Sequence, residues 1–338
     1  MNLEHSKLSE LSAVAVLGAG SWGTALALLL AENGGVVRLW DRTPGQIAAL
    51  LATRENKRYL PGHLLPANLQ PTVSLSAALT GAIFVVVAVP SAAVDDVLER
   101  ATLAPGADII LASKGIDPQT LELPADVALR CAPGHPVIAL SGPNLAREVA
   151  AGVPTAAVAA SDDAEAARRI AERFNRATFR TYVSDDRTGV EVGGAVKNVL
   201  AIAGGIADGL GYGDNTKAAL MTRGLSEMAR LGMALGGKRE TFYGLAGVGD
   251  LMATAASRLS RNWRVGYGLG QGKCLEEILA ELGQVAEGVP TAQAVEKLAV
   301  RHDLFLPVCI TVAELLDGRL TPREGVARLT ENRAAKTE

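Results

Sequence analysis

Between Ala13 and Asp41 the chain reads AVAVLGAGSWGTALALLLAENGGVVRLWD, and this stretch restricts the fold more than any other. Ala13–Leu17 is a short, wholly apolar run, which fits a strand buried on both faces. Gly18, Gly20 and Gly23 follow in G-x-G-x-x-G spacing. An Ala/Leu-rich helical pattern comes next, then a second apolar run, Val36–Trp40, that ends in Asp41. The three glycines serve different ends. Gly18 permits a tight turn, Gly20 lets a pyrophosphate approach the backbone, and Gly23 lets helix pack close to strand. The helix N-terminus faces the phosphates with unpaired N–H groups and a positive dipole end. Asp41 lies near the offset of about 20 residues at which a carboxylate holds a ribose hydroxyl. The glycine motif alone is a weak signal. Strand, glycines, helix, strand and terminal acid in one βαβ unit predict dinucleotide binding. Arg42 suits the 2′-phosphate of NADP and Asp41 the free ribose of NAD, so both cofactors stay open. Arg42 is also compatible with a plain solvated loop charge.

The alternation continues. Helix is expected at Gly45–Glu55, then a polar loop NKRYLPGHLLP, a strand at Ile83–Val89, a helix at Ser91–Arg100 and strands at Asp108–Ala112 and Val137–Leu140. Pro154–Ala160, Ala164–Asn175 and Thr178–Val183 read as strand, helix, strand. This predicts an α/β architecture with a Rossmann-type, doubly wound parallel sheet. Ligands of such sheets sit beyond the carboxyl ends of the strands. That rule singles out Val89-Pro90-Ser91, Ser113-Lys114-Gly115 and Ser141-Gly142-Pro143-Asn144. Lys114 would point into a cofactor crevice, although a loop lysine is equally compatible with solvent. Gly142 and Asn144 can bring backbone and amide donors to an anion or hydroxyl. The polar cluster SDDRTG then marks a boundary. It predicts a dinucleotide-binding domain over 1–187 and an all-helical substrate domain over 188–338.

In the second part the strand signal disappears, and helices are expected near Gly189–Asp208, Thr216–Leu235, Lys238–Phe242, Asp250–Ser257, Asn262–Gln271, Cys274–Leu282, Thr291–His302, Val308–Asp317 and Pro322–Leu329. The first has the composition of a buried element, yet Lys197 and Asn198 sit in its middle. A lysine is almost never fully buried unless paired. Gly194, Ala201 and Gly204 would share its face of the helix and leave room for an oxygen-bearing substrate. The alternative is a structural ion pair with Glu191 or Asp208; Asp250 is the carboxylate favoured here as partner, because it begins the segment leading to Ser260-Arg261-Asn262. In that triplet a hydroxyl, a guanidinium and an amide stand at the mouth of a helix, well suited to a phosphate or a cofactor diphosphate. A capping Ser260 with a solvated Arg261 is the plainer alternative. Asp250 could equally be an N-cap, and Glu287 could meet a ribose hydroxyl or cap its helix.

Composition sets limits. The chain has 338 residues and a formal net charge of −3, so no basic field points to nucleic acid or an anionic membrane surface. The polar start MNLEHSKLSE is unlike a secretory signal. Cys131, Cys274 and Cys309 are far apart and, like the scattered His5, His63, His135 and His302, suggest no metal site. The cysteines read as reduced core residues of a cytosolic protein, and the tail ENRAAKTE as frayed.

The stretches GAGSWGTALA, NKRYLPG, VVVAVPS, SKGID, LSGPNLAREV, EVGGAVKNVLAIAGGIADGLGYGDNTKAALMTRGL, LAGVGDLMATA, SRNWRVG and VAEGVPTA together resemble one family over almost the full chain. It is the bacterial-type NAD(P)-dependent glycerol-3-phosphate dehydrogenases. The resemblance implies a Rossmann-type domain followed by an all-helical one, and interconversion of sn-glycerol 3-phosphate and dihydroxyacetone phosphate with NAD or NADP. It also implies a supply of backbone for phospholipid synthesis and a homodimer. By motif it makes Lys197 the catalytic proton acceptor. It places Lys114, Gly142, Asn144, Asp250, Ser260, Arg261 and Asn262 at the substrate. The cofactor would meet Ser21, Trp22, Arg42, Lys114, Ala146, Arg261, Val285 and Glu287, besides the turn of Gly18, Gly20 and Gly23. Asn144 departs from the small hydroxyl residue of many members, and SRLSRN carries a variable insert before the triplet. A β-hydroxyacid or 6-phosphogluconate type dehydrogenase would share the architecture and the helical lysine, but lacks the pairing of GVGD with SRN. A non-catalytic nucleotide sensor has no need of a buried lysine with an Arg–Asn pair.

Overall fold

The computed structural model describes residues 13–330; the polar N-terminal decapeptide and the tail ENRAAKTE lie outside the described residues. The chain forms two compact units, one of residues 13–114 and 122–191, the other of 115–121 and 192–330.

The first unit is built on an eight-stranded sheet. Its strands are β1 (Ala13–Leu17), β2 (Val37–Trp40), β5 (Leu69–Thr72), β6 (Ala82–Val87), β7 (Asp108–Leu111), β8 (Val137–Ser141), β9 (Thr155–Ala160) and β10 (Phe179–Ser184), in the order β10-β9-β8-β7-β6-β1-β2-β5. Strand side chains alternate between two apolar clusters. Val14, Val16, Phe84, Val86, Ile110 and Ile138 enter one cluster, whereas Ala15, Leu17, Val85, Val87, Ile109 and Leu111 enter the other. This is the period-2 alternation of a sheet covered on both faces, and it explains why the strands read as continuous apolar runs.

Two features depart from the sequence reading. The sheet is parallel except where β8 pairs antiparallel with β9. The connection from Ser141 to Thr155 holds a five-residue helix, Ala146–Ala150, and returns the chain antiparallel. And NKRYLPGHLLP is not a simple loop. With Glu55, which falls outside the helix Pro44–Thr53, it forms a short antiparallel pair, β3 (Glu55–Asn56) with β4 (Leu60–Leu64). Arg54, in the left-handed conformation at φ 52°, donates to the carbonyls of Leu65, Pro66 and Leu69 and closes its base.

The second unit is helical and is built around most of helix Arg187–Gly209, whose apolar stretch is long enough to span a bilayer but is buried here. The helix Arg261–Gly270 lies directly on it. A Cβ on Gly205 would come 2.1 Å from the Trp263 carbonyl oxygen, and one on Gly266 would come 1.9 Å from that of Ile202. Glycine is therefore required for this backbone approach. At Gly204 a Cβ would make only ordinary contacts, 3.6 Å from Ala255 and Met221, so glycine is not demanded there by close packing. Elsewhere, buried Glu227 accepts from the N–H groups of Val308 and Cys309, capping helix Pro307–Leu316.

At the end of the first unit, Glu191 is buried. It accepts from the Ala125 N–H at 2.8 Å and from the Arg187 guanidinium at 3.2 Å. Burial pushes its carboxyl up to about 8, with Arg187 pulling the other way. The folded chain therefore binds a proton here that the unfolded chain has released between about pH 4.5 and 8. Stability from this group is fully present below that window and is lost as pH rises through it. Thermal melts from pH 5 to 8 should show wild type losing stability relative to Glu191→Gln, by at most about 1.4 kcal/mol per pH unit. Parallel profiles would contradict this.

Candidate active site

In the first unit, the turn after β1 lies where the strand order reverses, between β1 and β6. Gly18 has φ +113°, and a Cβ there would lie 2.8 Å from the Ala88 carbonyl oxygen at the end of β6. A Cβ on Gly23 would come 1.9 Å from the Gly18 carbonyl oxygen, so helix Ser21–Ala31 abuts the turn. A Cβ on Gly20, by contrast, would meet nothing within 4 Å. Open space at the head of a buried helix fits the diphosphate of a dinucleotide. Asp41 braces the turn: its carboxylate accepts from the N–H of Ala19 at 3.2 Å and of Thr43 at 2.9 Å. Arg42 is exposed. Ser21 donates its hydroxyl to the Tyr59 carbonyl at 2.8 Å, and the Trp22 indole N–H is buried with no partner among the described residues.

Lys114, just past β7, donates to the carbonyl of Gly142, just past β8, at 3.0 Å. Asn144 gives its amide N–H to the Ala156 carbonyl at 3.0 Å and keeps a buried, unpartnered Oδ1. Ala146 opens the short helix beside it. Five residues expected at a ligand thus gather beyond the carboxyl ends of β1, β7 and β8 or in the turns that follow: Gly18, Gly20, Lys114, Gly142 and Asn144.

The second unit holds the lysine. Lys197 is 6% exposed and donates to Asp250 Oδ1 at 2.7 Å and to Thr254 Oγ1 at 2.8 Å. Thr254 also donates to Asp250 Oδ1 at 3.2 Å. The glycines of LAGVGD explain the approach. A Cβ on Gly193, one turn before Lys197, would sit 2.4 Å from the Ala246 carbonyl oxygen, and one on Gly247 would sit 2.1 Å from that of Phe242. The π-helical turn Leu245–Gly249 then delivers Asp250 at the start of helix Asp250–Ala256. Asp250 does not cap that helix; its carboxylate goes to the lysine instead. Glu191 and Asp208, the other carboxylates considered, are engaged elsewhere, Asp208 with Lys217 and the Trp263 indole. Two buried charges are tolerated only when paired and hydrogen-bonded. Thr254 supplies part of that bonding. Nothing in the sequence singled it out, although its place four residues after Asp250 puts both on one helical face.

Ser260, Arg261 and Asn262 head helix Arg261–Gly270. Ser260 is its N-cap and accepts from the Trp263 N–H at 3.2 Å. Asn262 accepts from the Gly288 N–H at 2.9 Å and donates to Asn198 Oδ1 at 2.8 Å, and Asn198 donates to the Gly194 carbonyl at 3.2 Å. This amide chain ties the triplet to the lysine helix next to Lys197. Arg261 donates to the Val285 carbonyl at 2.6 Å. Burial pulls its guanidinium below the ordinary range, offset in part by the nearby Glu287. Arg261, Val285 and Glu287 are thus brought together, and Glu287 makes no side-chain cap. A fixed ammonium and a guanidinium beside a helix N-terminus can respectively move a proton and hold a phosphate. Outside these groups, Asp95, Glu99 and Cys131 put ligand-type atoms within 4.8 Å of one another, with Arg130 donating to Asp95.

Comparison with known proteins agrees with this geometry. Residues 13–167 match the N-terminal family model, and residues 186–327 the C-terminal one, of NAD-dependent glycerol-3-phosphate dehydrogenase. Glycerol-3-phosphate dehydrogenase [NAD(P)+] of Aromatoleum aromaticum is 50% identical over 94% of this chain and 97% of its own. The Geobacillus kaustophilus enzyme of that name is 49% identical over 94% and 93%. The crystal structure of glycerol-3-phosphate dehydrogenase from Coxiella burnetii superposes with a TM-score of 0.93 at 41% identity, covering 96% of this chain and 100% of that one. A dinucleotide turn, a helix lysine paired to the GVGD aspartate, and end-to-end similarity make the same assignment: the chain belongs to the NAD-dependent glycerol-3-phosphate dehydrogenase family.

Proposed function

We propose that the chain interconverts dihydroxyacetone phosphate and sn-glycerol 3-phosphate, with Lys197 as the proton donor and acceptor. NAD(P)H, when bound, supplies the hydride that C2 of the ketone receives. As C2 is reduced, its oxygen gains negative charge. Lys197, as ammonium, stabilises that charge and gives the oxygen a proton; in the reverse direction, as amine, it takes the proton back. Asp250 and Thr254 hold the Lys197 nitrogen in place, and orientation of this kind supplies part of the rate. Arg261 and Asn262 take the substrate phosphate, the guanidinium as a charged fork and the amide as a neutral donor. Ser260 spends its hydroxyl as helix cap and closes the same end. Lys114, Gly142 and Asn144 offer further donors to the substrate, Lys114 also to the cofactor. The buried, unpartnered Oδ1 of Asn144 favours a hydroxyl there. We assign the glycine turn, Ser21, Trp22, Arg42 and Ala146 to the cofactor, together with Arg261, Val285 and Glu287.

The observation that carries this reading is the buried Lys197–Asp250–Thr254 group beside the Asn198–Asn262 bridge. A merely structural ion pair has no need of a second amide chain leading to an anion-binding helix end. The product would feed phospholipid synthesis. We place the enzyme in the cytoplasm as a homodimer, in keeping with its family. The test is oxidation of NADH or NADPH on adding dihydroxyacetone phosphate. Consumption with this substrate, and not with succinic semialdehyde or gluconate-derived acids, is expected.

A further inference from the structure

We propose that Asn56, on the short strand β3, is a positioning residue for the dinucleotide, acting through the phosphate turn. Its side chain is 1% exposed and all its hydrogen-bonding capacity is used. The amide nitrogen donates to the Ala19 carbonyl at 2.9 Å and to Thr24 Oγ1 at 2.7 Å. The amide oxygen accepts from Gln46 Nε2 at 2.9 Å and from the Tyr59 N–H at 3.2 Å. The orientation of the amide is not arbitrary. Turned over, it would set its oxygen against the Ala19 carbonyl and its nitrogen against the Tyr59 N–H.

What this fixes is one peptide plane. Ala19 is the residue between the first two glycines of the turn. Its N–H is taken by Asp41, and its carbonyl by Asn56. Across a trans peptide the carbonyl of Ala19 and the N–H of Gly20 point in opposite directions. Holding the carbonyl on Asn56 therefore aims the Gly20 N–H away from the hairpin. That N–H has no partner among the described residues, and Gly20 is the position where an added Cβ would meet nothing within 4 Å. Asn56 thus presets a backbone donor toward the open space at the head of helix Ser21–Ala31. Ser21, bonded to the Tyr59 carbonyl at 2.8 Å, ties the same hairpin to the helix from the other side. A donor fixed before binding costs no ordering on binding, which is where affinity for the diphosphate is gained.

The proposal rests on the reading that Gly18–Gly23 holds the cofactor diphosphate, and the experiment separates the two. Dissociation constants for NADH and NADPH are measured on the full-length enzyme, with both Michaelis constants, kcat and melting temperature. Asn56→Asp keeps the size and the accepting oxygens but turns a carboxylate oxygen on the Ala19 carbonyl. Asn56→Ala removes the amide donor without adding charge and serves if the first variant folds poorly. Both should weaken NAD(P)H binding about tenfold or more. The Michaelis constant for dihydroxyacetone phosphate and kcat at saturating cofactor should stay within about twofold. Thr24→Val, which leaves the bond to Ala19 intact, should lower the melting temperature with binding little changed. A lower melting temperature in the Asn56 variants with unchanged NAD(P)H affinity would overturn the proposal and leave Asn56 a purely structural residue. If Gly20→Val, which fills the open space, also left affinity unchanged, the diphosphate reading itself would fall.

Discussion

Lys197→Met is expected to lower kcat by about 10²–10⁴-fold, the usual worth of a positioned general acid–base. NAD(P)H binding should persist, because Lys197 is not among the residues assigned to the cofactor. Methionine fills much of the lysine volume but removes the charge that Asp250 pairs with at 2.7 Å. Breaking a buried pair from one side typically costs about 3–5 kcal/mol of stability. The single variant therefore confounds lost chemistry with lost structure. Lys197→Met with Asp250→Asn separates them: the double variant should recover melting temperature, since no unpaired charge remains, and stay inactive. Activity near wild type in either variant would remove Lys197 from the chemistry.

Arg261→Ala should raise the Michaelis constant for dihydroxyacetone phosphate by roughly 10–100-fold, the scale of a charged hydrogen bond lost to a phosphate. The effect on kcat should be smaller. Because Arg261 also donates to the Val285 carbonyl, binding of NAD(P)H should weaken too. Arg261→Lys keeps the charge and loses the planar fork, so recovery should be partial. An unchanged Michaelis constant for the phosphorylated ketone would take Arg261 out of the phosphate site.

Continuous apolar strands such as β1 and β6 could be read from the sequence because both faces of the sheet are covered, so each residue reports burial directly. β5 could not: it reads LQPT, an edge strand with proline, and carries no apolar run. The antiparallel pairing of β9 with β8 depends on the path of the chain after Ser141, which composition does not report. The glycines were visible but ambiguous. A Cβ on Gly204 would make only ordinary contacts at 3.6 Å, whereas one on Gly193 would collide with the Ala246 carbonyl at 2.4 Å, and composition does not tell the two apart. The partners of a lysine 53 residues from its aspartate depend on helix packing, so Asp250 could be favoured only from its neighbourhood and Thr254 not at all. Asn56 lay inside a stretch that reads as polar loop. Its role exists only because the hairpin folds back on the phosphate turn.

Oxidation of NADH and NADPH by the wild-type enzyme, followed with dihydroxyacetone phosphate and with unphosphorylated dihydroxyacetone, bears most directly on the reading of both units. Rapid oxidation with the phosphate ester is predicted, with kcat/KM lower for the free ketone by roughly 100-fold or more, because it cannot engage the Arg261–Asn262 helix end. Equal rates on the two ketones, or no oxidation with the phosphate ester, would contradict it.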